Sequence, residues 1–244
     1  MPRAGSRVPR HPRSWFRDVP LLILQRGNNR AACFYAEEDY RFYLQWLQLN
    51  AEHYGCAIHA YVLMTNHVHL MLTPKEPDSA SKLMQSLGRR YVQYVNRAHH
   101  RSGALWEGRF RASLVEAESH LLTCYRYIEL DPVRADVVKH PADYFWSSYR
   151  HHALGTADRV VTEHPLFKAL GATRAERAEA YRASFRTELD EREVNGIRTA
   201  LDHGSILGSD RFREAIAASL GTVPTRARRR KLSLAKARAR IETP

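Results

Sequence analysis

The sequence predicts an α+β fold, a ferredoxin-like split βαβ sandwich followed by a helical extension. Three observations carry this expectation. Segments of strand and helix character run in the order strand, helix, strand, strand, helix, strand up to about residue 117. The stretch YVLMTNHVHLML, residues 61–72, folds back through a short polar connection. After about residue 165 no strand pattern remains and the segments read as helical. A length of 244 residues fits one large domain, or one domain with an appendage.

Taken in order, PLLILQR (20–26) reads as a strand closed by the turn signal Gly27-Asn28-Asn29. Residues 37–54 read as an amphipathic helix. Acids fill its first turn, apolar residues recur at 40, 43, 44, 47 and 51, and Gly55 stands where it should end. CAIHAYVL and HVHLML follow as an antiparallel pair joined by Met64-Thr65-Asn66. Residues 78–98 form a second helix with Leu83, Leu87, Tyr91, Tyr94 and Val95 in one stripe. FRASLVEA reads as the fourth strand, and ESHLLTCYRYIEL (118–130) as a third helix stopped by Pro132. In this topology strand 67–72 is central, and one face of the sheet is expected to be bare of helices and free as a binding surface. The expected organisation is a basic tail (1–17), a main α+β domain (18–152), a linker (153–164), a helical extension (165–222) and a second basic tail (223–244).

Composition narrows the function classes. No segment approaches the roughly 18–20 apolar residues needed to span a bilayer, and MPRAGSRVPRHPRSWFRD lacks the apolar core of a secretory signal. Three cysteines, Cys33, Cys56 and Cys124, form no close pair, so neither a zinc knuckle nor a disulfide frame is indicated. A cytoplasmic location is the expectation. The net charge of +12 resides in the ends: residues 1–17 hold five arginines and no acid, and 226–240 hold eight basic residues with Glu242 just after, which makes +5 and +7. Within the balanced middle, 82–111 holds seven basic residues against Glu107 alone. Neither tail has a strong apolar face, so nucleic acid is favoured over a membrane surface as the polyanionic partner.

The chemistry begins at His67 and His69. Alternation in a strand puts both on one side with Met71, while Val68, Leu70 and Leu72 take the other. Two imidazoles on one face are costly to bury unless their nitrogens are used. Tyr127 and Asp131 stand four apart in the third helix and so share a face. Two histidines and one carboxylate make a ligand set for a divalent ion with positions left for phosphate oxygens. A tyrosine beside such an ion can attack a phosphate, and the phosphotyrosine conserves the bond energy for rejoining. Each piece has a plain structural reading. A lone His-x-His pair is usually structural, Tyr125 and Tyr127 could be core aromatics, Asp131 could terminate the helix, and Arg89, Arg90 and Arg97 could form a solvated face.

The ordered blocks QRGNNR, YVLMTNHVHLMLTP, LGRRYVQYVNR, LWEGRFRASLVE and LLTCYRYIELDPVRADVV…PADYFWSSYR resemble the REP-associated tyrosine transposases, relatives of the single-tyrosine insertion-sequence transposases of the HUH nuclease group. The likeness runs in register from about residue 19 to 152. It implies an HUH nuclease fold, a divalent cation (Mg or Mn), and cleavage of single-stranded DNA near a hairpin through a 5′-phosphotyrosine. By motif position His67 and His69 are the implied metal ligands, Asp131 the third ligand and Tyr127 the nucleophile. The candidate DNA contacts are Arg26, Asn28, Arg30, Arg89, Arg90, Arg97, Arg109 and Arg111. The partner is single-stranded, hairpin-containing repetitive DNA, and a homo-oligomer is allowed. The chain departs from the family at Asp131, where Asn is usual, and in lacking a histidine ahead of QRGNNR. The rival from another class is a domesticated hairpin-binding protein that no longer cuts. An RNA-binding module of the RRM type ranks last, because strand 67–72 has no paired aromatics.

Overall fold

A computed structural model describes residues 16–219. The basic stretches 1–15 and 220–244, which hold nearly all of both expected tails, lie outside the described residues.

The elements are β1 (Leu21–Arg26), α1 (Glu37–Tyr54), β2 (Cys56–Met64), β3 (His67–Pro74), α2 (Ser79–Ala98), β4 (Arg111–Leu114), α3 (Ala117–Glu129), α4 (Asp131–Arg134), α5 (Tyr149–Leu154), α6 (Pro165–Lys168), α7 (Arg174–Ser184), α8 (Glu191–His203) and α9 (Asp210–Ser219). The strands form one sheet in the order β2-β3-β1-β4, every neighbouring pair antiparallel. With α1 and α2 as crossovers this is the expected split βαβ arrangement, and β3 is central. Acids at 37–39 favour the positive end of the α1 dipole. Gly55 ends that helix in the left-handed conformation, at φ 66°.

Both faces of the sheet are buried. On one, Leu21, Ile23, Val68, Leu70 and Leu72 pack under α1 and α2 against Tyr43, Leu47, Leu83, Leu87 and Tyr91. On the other, Leu22, Leu24, Ala60, Val62, Met64 and Met71 pack under α3 and the later helices, against Leu121, Tyr125, Ile128, Tyr149, Tyr181 and Leu201. The helix-bare face expected from the sequence is therefore corrected: the face that carries His67 and His69 is roofed. The reason lies in LLILQR itself. A strand apolar at consecutive positions needs cover on both sides, because each Å² of apolar surface left wet forgoes roughly 25 cal/mol.

The segment beyond residue 130 completes the cover begun by α3 and also closes both sheet edges. On the β2 edge, Ser147 bridges to Val62, Thr162 donates its amide to the Ile58 carbonyl at 2.6 Å, and the Tyr61 hydroxyl donates to Asp158. Residues 153–164 thus begin inside α5 and then run along a strand. On the β4 edge, the Leu207 amide donates to the Leu114 carbonyl and the Glu116 amide to the Leu207 carbonyl, both at 2.8 Å. Occupied edges are protected against pairing with other chains. Two local expectations are also corrected. The fourth strand spans only Arg111–Leu114; Val115 still donates its amide to the Pro20 carbonyl at 2.9 Å but forms an isolated parallel bridge with Leu207. Pro132 does not simply end a helix, because it sits in the first turn of α4, where its missing N–H is not needed.

A candidate metal centre beside Tyr127

In the β3 ladder His67 lies opposite Arg26 and Met64, and His69 opposite Leu24 and Val62. Strand alternation turns both imidazoles toward α3, their rings 5.2 Å apart and nearly perpendicular. His69 is only 4 % exposed, whereas His67 is partly open. After α3, Leu130 at φ −85° and ψ −3° carries the chain into α4, and this bend aims Asp131 back at the pair. Its Oδ2 lies 2.7 Å from His67 Nε2 and 3.9 Å from His69 Nε2. The ligand atoms of the three residues all fall within 4.8 Å of one another.

The donor set fits a divalent cation. His67 Nδ1–H donates to Asn66 Oδ1 at 2.7 Å, which orients the ring; its Nε2, which faces Asp131 Oδ2 in this structure, is the atom that would coordinate in place of that hydrogen bond. Burial, reinforced by the His67 and Arg134 charges, pushes His69 down to about 3, against the partial pull of Asp131. It is therefore neutral and able to ligate across the physiological range. Burial alone would raise the Asp131 carboxyl, but the hydrogen bond from His67 and the Arg134 charge outweigh it and hold it well below the usual range. The carboxylate is thus ionised and ready.

Tyr127, 5 % exposed, sets its ring edge-on to His69 at 5.5 Å. Arg134 stacks on it, with its guanidinium carbon 4.3 Å from the ring centroid. The same guanidinium donates to Asp131 Oδ1 at 3.0 Å and to the Tyr127 carbonyl. Burial and the Asp131 charge raise the phenol, while Arg134 and a hydrogen bond from Arg198 on α8 oppose them. The net direction is upward, so the hydroxyl keeps its proton until further positive charge arrives. Tyr125 points elsewhere: it is fully buried and stacks on His152 with ring centroids 4.9 Å apart.

The structure brings His67, His69, Asp131 and Tyr127 together and distributes the remaining candidates. Arg26 shares the ladder row of His67, and Asn28 and Arg30 are exposed in the following turn. Arg89, Arg90 and Arg97 lie on α2, across the sheet from the histidines, with Arg90 stacked 3.8 Å over the Trp46 ring. Arg109 is exposed just before β4, and Arg111 is engaged by Asp202 of α8 at 2.5 Å. The sequence reading missed Arg134 and Arg198. Arg134 was findable, because it follows Asp131 by one helical turn, but α8 gave no sign that it would reach the site.

Residues 21–131, which include all four converging side chains, match the family model described as "Transposase IS200 like". Among solved structures, that of a REP-associated tyrosine transposase bound to a REP hairpin is 16 % identical. It aligns with 64 % of this chain and 93 % of its own, at a TM-score of 0.49. A provisionally assigned transposase from Deinococcus radiodurans R1 is 22 % identical and aligns with 49 % of this chain and 95 % of its own, at a TM-score of 0.35. A comparison with curated proteins finds no match. Over residues 21–131, a little under half of its length, the chain is similar to the IS200-like transposases.

Proposed function

We propose that the chain is a metal-dependent transposase that cuts and rejoins single-stranded, hairpin-flanked DNA through Tyr127. The observation that carries this reading is the convergence of His67, His69 and Asp131 within 4.8 Å, beside a buried tyrosine with two arginines on it. Tyr127 Oη attacks the scissile phosphorus. The new phosphotyrosine bond forms as the phosphorus–O3′ bond breaks, leaving a 3′-hydroxyl on one strand and a 5′-phosphotyrosine on the other. Attack by the 3′-hydroxyl of another strand reverses the step and releases the tyrosine. His67 and His69 through Nε2, and Asp131 through Oδ2, would hold Mg or Mn. Such a cation, when bound, supplies positive charge that stabilises the crowded phosphate and eases loss of the phenolic proton. Arg134 fixes the ring and the carboxylate in one geometry, and Arg198 offers its charge where the oxyanion develops.

One observation favours the silent binder instead. Both Asp131 oxygens are already engaged, Oδ2 by His67 and Oδ1 by Arg134. If that closed arrangement persists on DNA, hairpins would be bound and not cut. The test is a denaturing gel of wild-type protein with single-stranded hairpin oligonucleotides in Mg or Mn. A covalent adduct that disappears with a chelator and in a His67→Ala, His69→Ala double variant supports the enzyme. Tight binding with no adduct in either metal supports the binder.

A further inference from the structure

The turn that closes β1 is wound against its own preference. Asn29 and Arg30 are consecutive residues in the left-handed region, at φ 52° and 59°. Asparagine tolerates that region and arginine far less, so the conformation persists only where the surroundings impose it. The imposing contacts come from the β2–β3 connection. The Gly27 amide donates to the Asn66 carbonyl and the Cys33 amide to the Thr65 carbonyl, both at 2.8 Å. The turn is also tight on its inner side, since a Cβ at Gly27 would run into the Ala31 carbonyl oxygen. The last tie falls on the strained residue itself: Asn66 Nδ2 donates to the Arg30 carbonyl at 3.3 Å.

The same side-chain amide reaches the metal centre. Asn66 Oδ1 accepts from His67 Nδ1–H at 2.7 Å, and His67 Nε2 faces Asp131. The two ends of the amide cannot be exchanged. A peptide carbonyl can only accept, so the Arg30 oxygen calls for the Asn66 NH2 group. Asn66 Oδ1 is then left toward His67, where it calls for an N–H at Nδ1. A ring that carries its proton at Nδ1 offers Nε2 to a cation. The backbone of the turn thus selects the coordinating face of His67 through one planar group. The two bonds are unequal: the one to His67 is short, and the one to Arg30 lies just beyond the usual N–H···O range. Contact with the turn therefore has slack to take up. Asn28 and Arg30 are exposed there, among the candidate DNA contacts, and Arg26 is the ladder partner of His67.

We propose that Asn66 is a positioning residue that couples the Asn28–Arg30 turn to the metal centre, so that a DNA phosphate held on the turn and a divalent cation held by His67 strengthen each other's binding. DNA on the turn fixes the Arg30 carbonyl, the fixed carbonyl tightens the Asn66 tie, and the amide holds the His67 ring with Nε2 toward the cation. Such coupling is reciprocal: the factor by which DNA tightens the cation is the factor by which the cation tightens DNA. The inference rests on the metal-binding and DNA-binding parts of the function proposed above but not on cleavage. It gives QRGNNR and TNHVH, distant in the sequence, one shared task.

The test uses the full chain, Mn, and a hairpin oligonucleotide selected for tight binding from a randomised pool. Mn affinity is read from the EPR signal of the free ion, with and without the oligonucleotide. Oligonucleotide affinity is read by fluorescence anisotropy, in Mn and in chelator. In the wild type each ligand should tighten the other by the same factor, about fivefold or more. Asn66→Ala should lose the coupling and weaken Mn binding alone about tenfold. Asn66→Asp, isosteric at a partly exposed position, separates the two ends of the amide. It still accepts from His67 Nδ1–H but cannot donate to the Arg30 carbonyl. Its Mn affinity without DNA should match or exceed that of wild type, while its coupling factor falls toward one. A merely structural role would not split these two readouts. Unchanged Mn affinity in Asn66→Ala, or wild-type ligands that ignore one another, would overturn the tie and leave the metal centre standing. Coupling undiminished in Asn66→Asp, as a phosphate ligating the cation directly would give, would do the same. No binding of Mn, or of any oligonucleotide, by the wild type would remove the tie together with the function it rests on.

Discussion

Arg134 holds Tyr127 and Asp131 in one grip: its guanidinium lies 4.3 Å from the tyrosine ring centroid, and its Nη2 is 3.0 Å from Asp131 Oδ1. A planar fork can stack and donate at once, whereas an ammonium cannot. Arg134→Lys is therefore expected to keep the local charge but loosen the geometry. Cleavage should fall at least about tenfold, roughly 1.4 kcal/mol of transition-state stabilisation, while hairpin affinity changes little. Single-turnover rates measured beside binding constants check this. Equal losses in rate and affinity would make Arg134 a DNA contact instead.

The two tyrosines of α3 should part company. Tyr127→Phe should abolish both cleavage and the covalent adduct with binding retained. Tyr125 stacks on His152, and its hydroxyl is buried without a hydrogen-bond partner. Removing such a group costs nothing and can stabilise. Tyr125→Phe should thus keep full adduct formation and show an equal or higher Tm. An adduct formed by Tyr127→Phe would refute the nucleophile.

Much of this arrangement was legible in the sequence, for reasons that can be named. Period-two alternation placed His67 and His69 together, and the α1 register followed from acids at 37–39 and Gly55. The i, i+4 relation of Tyr127 to Asp131 anticipated their proximity, although Asp131 reaches the pair by starting a new helix. What alternation could not convey was the roof. Helices α7 and α8 look like a generic amphipathic appendage, yet Tyr181 and Leu201 are buried against the sheet face. Long-range cover of this kind has no local signal, and LLILQR, apolar on both faces, was its only trace. Arg198 was invisible for the same reason.

The buried carboxylate of Glu129 couples that roof to α3, the helix that carries Tyr127. It accepts hydrogen bonds from Ser148 Oγ at 2.6 Å, His152 Nδ1 at 2.7 Å and Tyr181 Oη at 2.8 Å, joining α3, α5 and α7. Glu129→Ala would orphan three buried donors at once, an expected cost of about 3–5 kcal/mol. Tyr181→Phe, which removes one donor and leaves the carboxylate two partners, should cost about 1 kcal/mol. Urea denaturation of the two variants measures the difference. Similar losses for both would mean that the three bonds do not act together.

His59 gives the fold a predictable acid limit. Its Nδ1–H donates to the Thr162 carbonyl at 2.7 Å, and its Nε2 lies 2.8 Å from the Thr73 hydroxyl, so the neutral ring pins the 155–164 segment to the sheet. Burial pushes its pKa from an ordinary 6.5 down to about 4, with neighbouring His164 and His152 adding to the shift against the Thr162 bond. A depressed histidine binds its proton more readily in the unfolded chain, so stability rises with pH between the two values. Its contribution is full above about 6.5 and is lost as pH falls toward about 4. The corresponding loss is about 3 kcal/mol. His164, itself depressed chiefly by burial, acts in the same direction. His59→Gln cannot titrate, so its urea midpoint should fall less than that of wild type across this window, even if it starts lower at neutral pH. Parallel midpoint curves for the two proteins would show that His59 does not set the limit.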